Sequence, residues 1–529
     1  MPRRSRVPRR LALATAAIAV AVTGCFHVFV RTEARRLAAP ATDKPTIVRT
    51  PVKAHLADGS TVVFRKGATV SRSEIAGAGE WYPLLSDVVR PRNVVPLDSV
   101  VGVETFEAKV LAAPTLAVSV AATAVGALGA AALAVAIFGS CPTVYADTGA
   151  GLALQAEGFS YAIAPLFEQR DVDPLRLRAG ADGVVRLELR NEALETHFIN
   201  HVELLAVRHP AGTRALPDQH GHAVSASAVR PLARATDRAG RDVRDALASA
   251  DGRLFSTASA TVDAAREGDL DDWIDLEAEG LPPGDSVAVV LRLRNSLLNT
   301  VLLYEGILGG RDAPDWLATG LQHIATAVDV SRWYVRTMGM RVSVEGAAPG
   351  APSARLGDVG PIAFRDVAVV LPRPTRDAGR VRVRLRFVAD NWRIDRAEVA
   401  GVIARPTVER LPVTRVVVPV PAVGTGPALD SAAVSAVADP DERYLETRPG
   451  QRMTLEFAPA RASAGDSTTY LIAWQGWYRE WIRGAWLAEP ARVTPFVPGD
   501  SAVLTALGRW RARQPELERA FYASKIPVR

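Results

Sequence analysis

Lysine and cysteine are scarce in this 529-residue sequence, which contains 5 Lys, 58 Arg and 2 Cys. Two cysteines exclude a fold held together by a framework of disulfides. The formal net charge is +6, but the arginines form no clustered stripe, so we expect no nucleic-acid partner. Glycine (40 residues) and proline (36 residues) occur in ordinary amounts, which argues against wholesale disorder.

Several catalytic signatures are missing as well. The sequence contains no G-x-S-x-G elbow, no P-loop, no Rossmann glycine fingerprint and no H-E-x-x-H zinc motif. Each of these motifs positions a nucleophile, a phosphate or a metal by local backbone geometry. We therefore expect a binding or structural role without a cofactor, and we keep a metal-dependent hydrolase as the alternative.

The N-terminus has the pattern of an export signal. Five arginines lie within residues 1–10, and residues 11–24 are uncharged and mostly Ala, Val and Leu. The segment ends in Val22, Thr23, Gly24 and Cys25, which resembles a bacterial lipobox. That resemblance implies removal of a signal peptide, residues 1–24, and lipidation of Cys25. The expected location is the cell membrane, with a lipid anchor, membrane lipid as a partner and most of the chain outside the cytoplasm.

An uncleaved membrane helix is the alternative for this N-terminus, because residues 11–30 are all uncharged and long enough to span a bilayer. A second apolar segment lies in the charge-free stretch between Lys109 and Asp147. Its Ala, Val, Leu and Gly residues predict a transmembrane helix at 113–139. The alternative for this segment is a buried alanine-rich helix or hairpin.

Residues 41–110 predict a small β domain of short strands, with a hairpin turn at Asp58 and Gly59. The stretches HLADGSTVVF (55–64) and PLDSVVGVE (96–104) resemble the small β-barrel-like domain that follows the lipobox in many bacterial lipoproteins. The motif S-C-P-x-V-Y at 140–145 resembles the start of a β-rich region in a group of bacterial envelope proteins. Neither resemblance carries an activity, and we expect partners among other envelope proteins or glycans.

The region from residue 141 onward predicts further strands. Residues 381–387 alternate strictly between apolar side chains and arginine, the pattern of a half-buried antiparallel strand. The pattern L-x-L-R-N-x-x-L-x-T occurs at both 187–196 and 291–300, which suggests two similar strand-turn units. We predict two β-rich domains, 141–345 and 358–487, and a helical tail, 490–529. The expected fold is mainly β, with a large β-sandwich-like region and a few helices.

Histidines provide the candidate metal site. His197 and His201 are four residues apart and would share one face of a helix, while His220 and His222 would share one face of a strand. Neutral imidazoles in such pairs bind zinc or copper. Because residues 198–207 have a strand-like composition, the alternative places His197 and His201 about 13 Å apart on one strand face. Surface or loop histidines are then the ordinary interpretation.

Tryptophans provide a second candidate site. Trp474, Trp477 and Trp481 lie within eight residues, a density of aromatic rings suited to a ligand or an interface. The same residues are also suited to packing in a core. Acidic residues cluster between Asp269 and Glu279, and oxygen-rich loops of this kind suit calcium. The alternative for the acidic cluster is a solvated loop, because the spacing of a calcium-binding loop is missing.

Overall fold

The computed structural model confirms that the protein is mainly β, with 49% strand and 17% helix. It describes residues 44–49, 52–56, 61–82, 90–105, 141–163, 167–309, 324–345, 353–373, 379–418, 428–429, 431–441, 443–461, 466–481, 496–523 and 525–528. The signal peptide, Cys25 and the apolar segment 113–139 lie outside these residues. Within them, no helix combines the length and the apolar character needed to cross a membrane.

Nine short strands form the N-terminal unit. They are β1 (Thr46–Val48), β2 (Val52–Leu56), β3 (Thr61–Phe64), β4 (Ala68–Val70), β5 (Glu74–Ala76), β6 (Glu80–Tyr82), β7 (Arg90–Pro91), β8 (Val94–Pro96) and β9 (Val100–Thr105). They make one sheet in the order β1-β4-β5-β8 and another in the order β7-β6-β3-β2-β9. The two sheets share a single apolar core that includes Val52, Phe64, Val70, Ile75 and Val95. Every second residue of β2 is buried, as expected for a strand with one face on a core.

Twenty strands follow from residue 141. They are β10 (Thr143–Asp147), β11 (Leu152–Glu157), β12 (Gln169–Leu175), β13 (Val185–Arg190), β14 (Glu195–Pro210), β15 (Arg214–Pro217), β16 (Ala223–Arg230), β17 (Arg234–Asp237), β18 (Asp271–Ala278), β19 (Ser286–Asn295), β20 (Met340–Val344), β21 (Ala354–Leu356), β22 (Arg365–Pro372), β23 (Val381–Val388), β24 (Trp392–Ala404), β25 (Thr407–Val418), β26 (Ala428–Leu429), β27 (Leu445–Thr447), β28 (Arg452–Phe457) and β29 (Asp466–Glu480). All the strand pairs of this region are antiparallel.

The helices are fewer than the strands. They are α1 (Ser259–Asp263), α2 (Leu298–Val301), which continues into a π-helical segment (Leu302–Leu308), α3 (Ile324–Met338), α4 (Ser431–Ala438) and α5 (Asp500–Ala523), with 3-10 turns at Leu97–Ser99 and Asp245–Leu247. Side chains of the π-helical segment, α3 and α5 join the core of the largest sheet. Helix α5 lies within the region predicted as a helical tail.

The largest sheet, which we call the curled sheet, runs β11-β10-β13-β28-β25-β14-β29-β12, with β26 beside β25 and β27 beside β14. Its first and last strands, β11 and β12, approach each other, and the Arg176 N–H donates to Gln155 Oε1 across 2.8 Å. The sheet therefore nearly closes around its own core, whereas the sequence predicted a sandwich. Register shifts at Val144/Tyr145, Ile199/His201 and Val413/Arg415 explain the difference, because each bulge bends its strand and increases its twist.

Two five-stranded sheets form what we call the sandwich. One has the order β15-β16-β24-β19-β22 and the other β17-β18-β23-β20-β21. Leu291 and Ile394 of the first sheet and Leu276 and Leu385 of the second belong to one buried core. Strand β23 confirms the predicted alternation, since its apolar residues are buried and its arginines face outward.

The sandwich is an insertion in the curled sheet. Strand β14 ends at Pro210, the strands β15 to β24 follow, and the chain returns to the curled sheet at Thr407 in β25. Strand β20, before the predicted domain boundary at 346–357, pairs with β23, after it, in one sheet. The boundary that we placed there therefore does not divide the sheets. The chain instead passes between the curled sheet and the sandwich at residues 211–213 and 405–406.

Candidate functional site

The first pair of histidines lies on strand β14, where a bulge separates them. The register with β29 shifts between Ile199 and His201, so the residues facing inward are odd-numbered before the bulge and even-numbered after it. His197 is fully buried, and its Nδ1 lies 3.0 Å from Thr447 Oγ1. His201 is on the opposite face, with its Nε2 3.8 Å from Glu203 Oε1. Both predicted arrangements of His197 and His201 on one face were therefore wrong.

The second pair of histidines is in the exposed connection between β15 and β16. The backbone N–H groups of His220 and His222 both donate to Asp218 Oδ1, at 2.8 and 2.9 Å, which forms a tight turn. Their ring centroids are 6.2 Å apart. Among the residues described, no group of three or more His, Cys, Asp or Glu side chains is placed to hold a metal ion. The structure does not bring the two pairs of histidines together into one site.

The three tryptophans are buried. Trp474 packs against Phe159 at a ring distance of 4.9 Å, and its Nε1 donates to Asp173 Oδ2 at 3.1 Å. Trp477 stacks on Phe198 at 4.1 Å. Trp481 is also buried, and its Nε1 donates to Thr196 Oγ1 at 3.0 Å. None of the three rings is presented to solvent, so the core alternative describes their placement and the ligand interpretation does not.

Buried carboxylates, which the sequence did not predict, mark a more distinctive site inside one end of the curled sheet. Asp358 accepts hydrogen bonds from Ser160 Oγ at 2.8 Å, from Tyr334 O–H at 2.5 Å, from the Gly360 N–H at 2.8 Å and from Asn299 Nδ2. These donors come from the curled sheet's β11–β12 connection, α3 and α2. Asp358 therefore ties three elements together by saturating the acceptor capacity of one carboxylate.

Glu157, at the end of β11, is the second carboxylate of this site. Its Oε2 accepts the N–H groups of Ile362 and Ala363 at 2.6 and 3.0 Å, so the curled sheet binds the loop between β21 and β22. Burial raises the pKa of Glu157 to about 8, although the two N–H groups act in the opposite direction. Gly360 packs directly on this carboxyl: a Cβ there would lie 2.4 Å from Glu157 Cδ.

The repeated sequence pattern contains the signal that could have located this loop. Asn295, in the second copy and the last residue of β19, accepts the N–H groups of Val359 and Gly360 at 2.8 and 3.2 Å with Oδ1. Asn191, the equivalent residue of the first copy, donates from Nδ2 to the Glu195 carbonyl at 2.9 Å. Both asparagines are fully buried. At both positions, a buried asparagine at the end of an apolar strand satisfies backbone groups of a neighbouring segment.

A small apolar pocket adjoins Asp358. Its enclosed volume is about 10 Å³, room for about one water-sized group, and it is lined by Tyr161, Ile163, Phe167, Leu303, Ile307, Val330, Ser331 and Tyr334. The rings of Tyr161 and Tyr334 are 5.6 Å apart, and the Tyr334 hydroxyl is held by Asp358. Burial raises the pKa of Tyr161 to about 12, so both phenols stay neutral at physiological pH. The pocket therefore offers apolar surface and neutral hydroxyl groups, and its volume admits only a very small group.

No family model and no curated protein matches the chain. A GH31 alpha-xylosidase from Xanthomonas citri is 8% identical over 84% of this chain and 34% of that chain, with a TM-score of 0.13. The chain thus spans only 34% of the length of the xylosidase. The secreted serine protease VesC from Vibrio cholerae is 7% identical over 71% of this chain and 99% of that chain, with a TM-score of 0.14. At these TM-scores neither similarity identifies a fold or a function.

Proposed function

We propose that this protein is a membrane-anchored protein of the bacterial cell envelope with a binding or structural role, and that its pocket takes a small apolar group. The observation that carries the binding role is the pocket beside Asp358, because its lining combines aliphatic and aromatic side chains and has hydroxyl groups as its only polar side-chain groups. Sites of this composition bind ligands by burying apolar surface. The lipobox at Cys25 and the preceding apolar segment support the anchoring.

The geometry of the buried ionisable groups supports binding rather than hydrolysis. Asp358 and Glu157 use their oxygens to hold Ser160, Tyr334 and the β21–β22 loop. Carboxylates engaged in this way stabilise the joint between the curled sheet and the sandwich. The geometry gives no comparable support to a metal-dependent hydrolase, because His197 and His201 face opposite sides of β14.

Filling the pocket tests the binding role. We expect the full-length protein to bind xenon, a single apolar atom small enough for the pocket, detected by a shift of the xenon NMR signal. The variant Ile307→Trp should lower the affinity at least about tenfold, because its indole would occupy the space that the ligand needs. Ile307→Ala, which enlarges the pocket, should retain binding. Val402→Trp is the matched control, since Val402 is exposed on the sandwich.

Two results would contradict this proposal. Xenon binding by Ile307→Trp with the affinity of the wild-type protein would place the ligand elsewhere. Stoichiometric zinc in the purified full-length protein, lost in the variant His197→Ala/His201→Ala, would favour the hydrolase instead.

Anchoring has its own test. In cells given radiolabelled palmitate, the wild-type protein should take up the label and sediment with membranes. Cys25→Ala should lose the label, because the thiol is the atom that the diacylglycerol would modify. A wild-type protein that sediments with membranes without taking up label would overturn lipidation and favour an uncleaved N-terminal helix.

A further inference from the structure

The outward face of the sandwich sheet β17-β18-β23-β20-β21 carries many arginines. On the β18 side of this face, carboxylates pair with the arginines and neutralise their charges. The acidic residues that the sequence suggested as a calcium or solvated loop form strand β18 instead. They pair with arginines of the neighbouring strand β23: Arg382 with Glu277 at 3.0 Å, Arg384 with Asp275 at 2.7 Å, and Arg386 with Asp271. Each positive charge of β23 therefore has a carboxylate beside it.

The other side of the same face carries fewer carboxylates: among the described residues, Glu345 directly follows β20 and pairs with Arg384 at 3.5 Å. Arg341 of β20 lies directly opposite Arg386 of β23 and directly opposite Arg355 of β21. Directly opposite residues have Cβ atoms only about 5 Å apart, and like charges so placed destabilise a sheet. Within the described part of the chain, no carboxylate lies within ion-pair distance of Arg341, Arg355 or the neighbouring Arg336.

Helix α3 contributes a third arginine, Arg336, near Arg341 and Arg355. We call these three residues the arginine row. Arg336 is in the last turn of α3, and its carbonyl oxygen accepts a hydrogen bond from Arg355 Nη1. Burial lowers the pKa of Arg355, and the charges of Arg341 and Arg336 lower it further, as expected for guanidinium groups that repel one another. Residues 346–352, which connect β20 to β21, include no acidic residue in the sequence.

We propose that Arg336, Arg341 and Arg355 form a binding site for a phosphate-type oxyanion. Two observations support this proposal. Arg341 and Arg355 lie directly opposite each other without a carboxylate partner among the described residues, and Arg355 donates a hydrogen bond to the carbonyl oxygen of Arg336 in α3. Guanidinium groups bind phosphate oxygens in pairs with good geometry, and an anion between them would relieve their mutual repulsion. The site is separate from the apolar pocket and does not depend on the proposed function.

Thermal unfolding of the full-length protein tests this site. Inorganic phosphate or pyrophosphate should raise the unfolding midpoint more than sodium chloride of equal ionic strength does. The double variant Arg341→Gln/Arg355→Gln should lose that extra rise. In buffer without multivalent anions the same variant should unfold at an equal or higher temperature than the wild-type protein, because the repulsion is gone. The last result also shows that the variant folds.

Arg234→Gln is the matched control. Arg234 is exposed on β17, at the opposite edge of the same sheet, so this variant removes one charge from that sheet without touching the arginine row. It should keep the full response to phosphate. An equal loss in Arg234→Gln would show a general charge effect, and an unchanged response in the double variant would remove the site; either result would overturn the proposal.

A comparison of vesicles identifies the source of the phosphate group. Full-length protein with the arginine row intact should bind phosphatidylglycerol vesicles more tightly than phosphatidylcholine vesicles if the ligand is an anionic lipid headgroup. That difference should shrink several-fold in Arg341→Gln/Arg355→Gln. A response to pyrophosphate that depends on the arginine row, with no difference between the vesicles, would assign the site to a soluble phosphorylated ligand.

Discussion

Replacing Arg365 with methionine is expected to lower the free energy of unfolding by about 3–5 kcal/mol. Arg365 is on β22 of the sandwich, and its buried guanidinium lies between two carboxylates of β12 in the curled sheet: Asp173 at 2.5 Å and Asp171 at 3.2 Å. Its removal would leave two buried carboxylates without a counterion. Urea denaturation at neutral pH measures the loss.

The charge on these carboxylates determines how the penalty varies with pH. Burial raises the pKa of Asp173 to about 6 even with the opposing charge of Arg365 beside it. Without Arg365 this pKa should rise further, since the remaining Asp171 charge also disfavours ionisation. The penalty in Arg365→Met should therefore decrease as the pH is lowered towards 5, where the carboxyl becomes neutral in the folded protein.

A neighbouring ion pair provides the control for this prediction. Arg176 pairs with Asp366 at 3.0 Å, also between the curled sheet and β22, but 61% of its side chain is exposed. Arg176→Ala should cost less than about 1 kcal/mol, because solvent screens the pair. The variant Arg365→Met/Asp171→Asn/Asp173→Asn should recover part of the lost stability. A loss in Arg365→Met no larger than in Arg176→Ala would show that Arg365 does not hold the two units together.

Stability should fall as the pH rises from about 4.5 through about 8, and Glu157→Gln should remove most of this dependence. Burial raises the pKa of Glu157 to about 8 in the folded protein, whereas an exposed glutamate has its ordinary value near 4.3. Between these values the unfolded chain releases a proton that the folded protein retains, so rising pH favours unfolding. The total effect is roughly 3–5 kcal/mol, at about 1.4 kcal/mol for each pKa unit.

Urea denaturation across this pH range provides the measurement. Glu446→Gln changes an exposed glutamate of β27 and should keep the pH dependence of the wild-type protein. Some dependence should remain in Glu157→Gln, because the raised pKa of Asp173 acts in the same direction. An equal dependence on pH in Glu157→Gln and in the wild-type protein would mean that Glu157 is ionised in the folded state.

Strands could be predicted from the sequence where each residue only had to suit either a core or solvent. The alternation in β23 and the continuous apolar run in β19 both correspond to observed strands. The run in β19 is continuous because Val289 and Val290 are buried in different cores, one on each face of a central strand. The curling of the largest sheet was not predictable in this way, since a bulge changes the face of every later residue without changing the composition.

The candidate sites show the same division. Four histidines at short spacings suggested a metal site, but the bulge between Ile199 and His201 turns His197 and His201 to opposite faces of β14. The tryptophans at 474, 477 and 481 have a density typical of a ligand site, yet their rings fill the core. Conversely, Asp358 and Glu157 attracted no notice in the sequence, because single acidic residues outside a motif are common.

The amino-acid pattern alone determined the strand-rich character of this protein and which residues of its regular strands face a core. These properties follow from periodicity, which depends on neighbours along the chain. The tertiary structure decided that the sandwich is inserted in a curled sheet and that Asp171, Asp173 and Arg365 meet. It also decided that, among the described residues, the arginines of β20 and β21 have no carboxylate partner. Such meetings depend on strand order and register between residues as far apart in the chain as Asp171 and Arg365, and no local pattern encodes them.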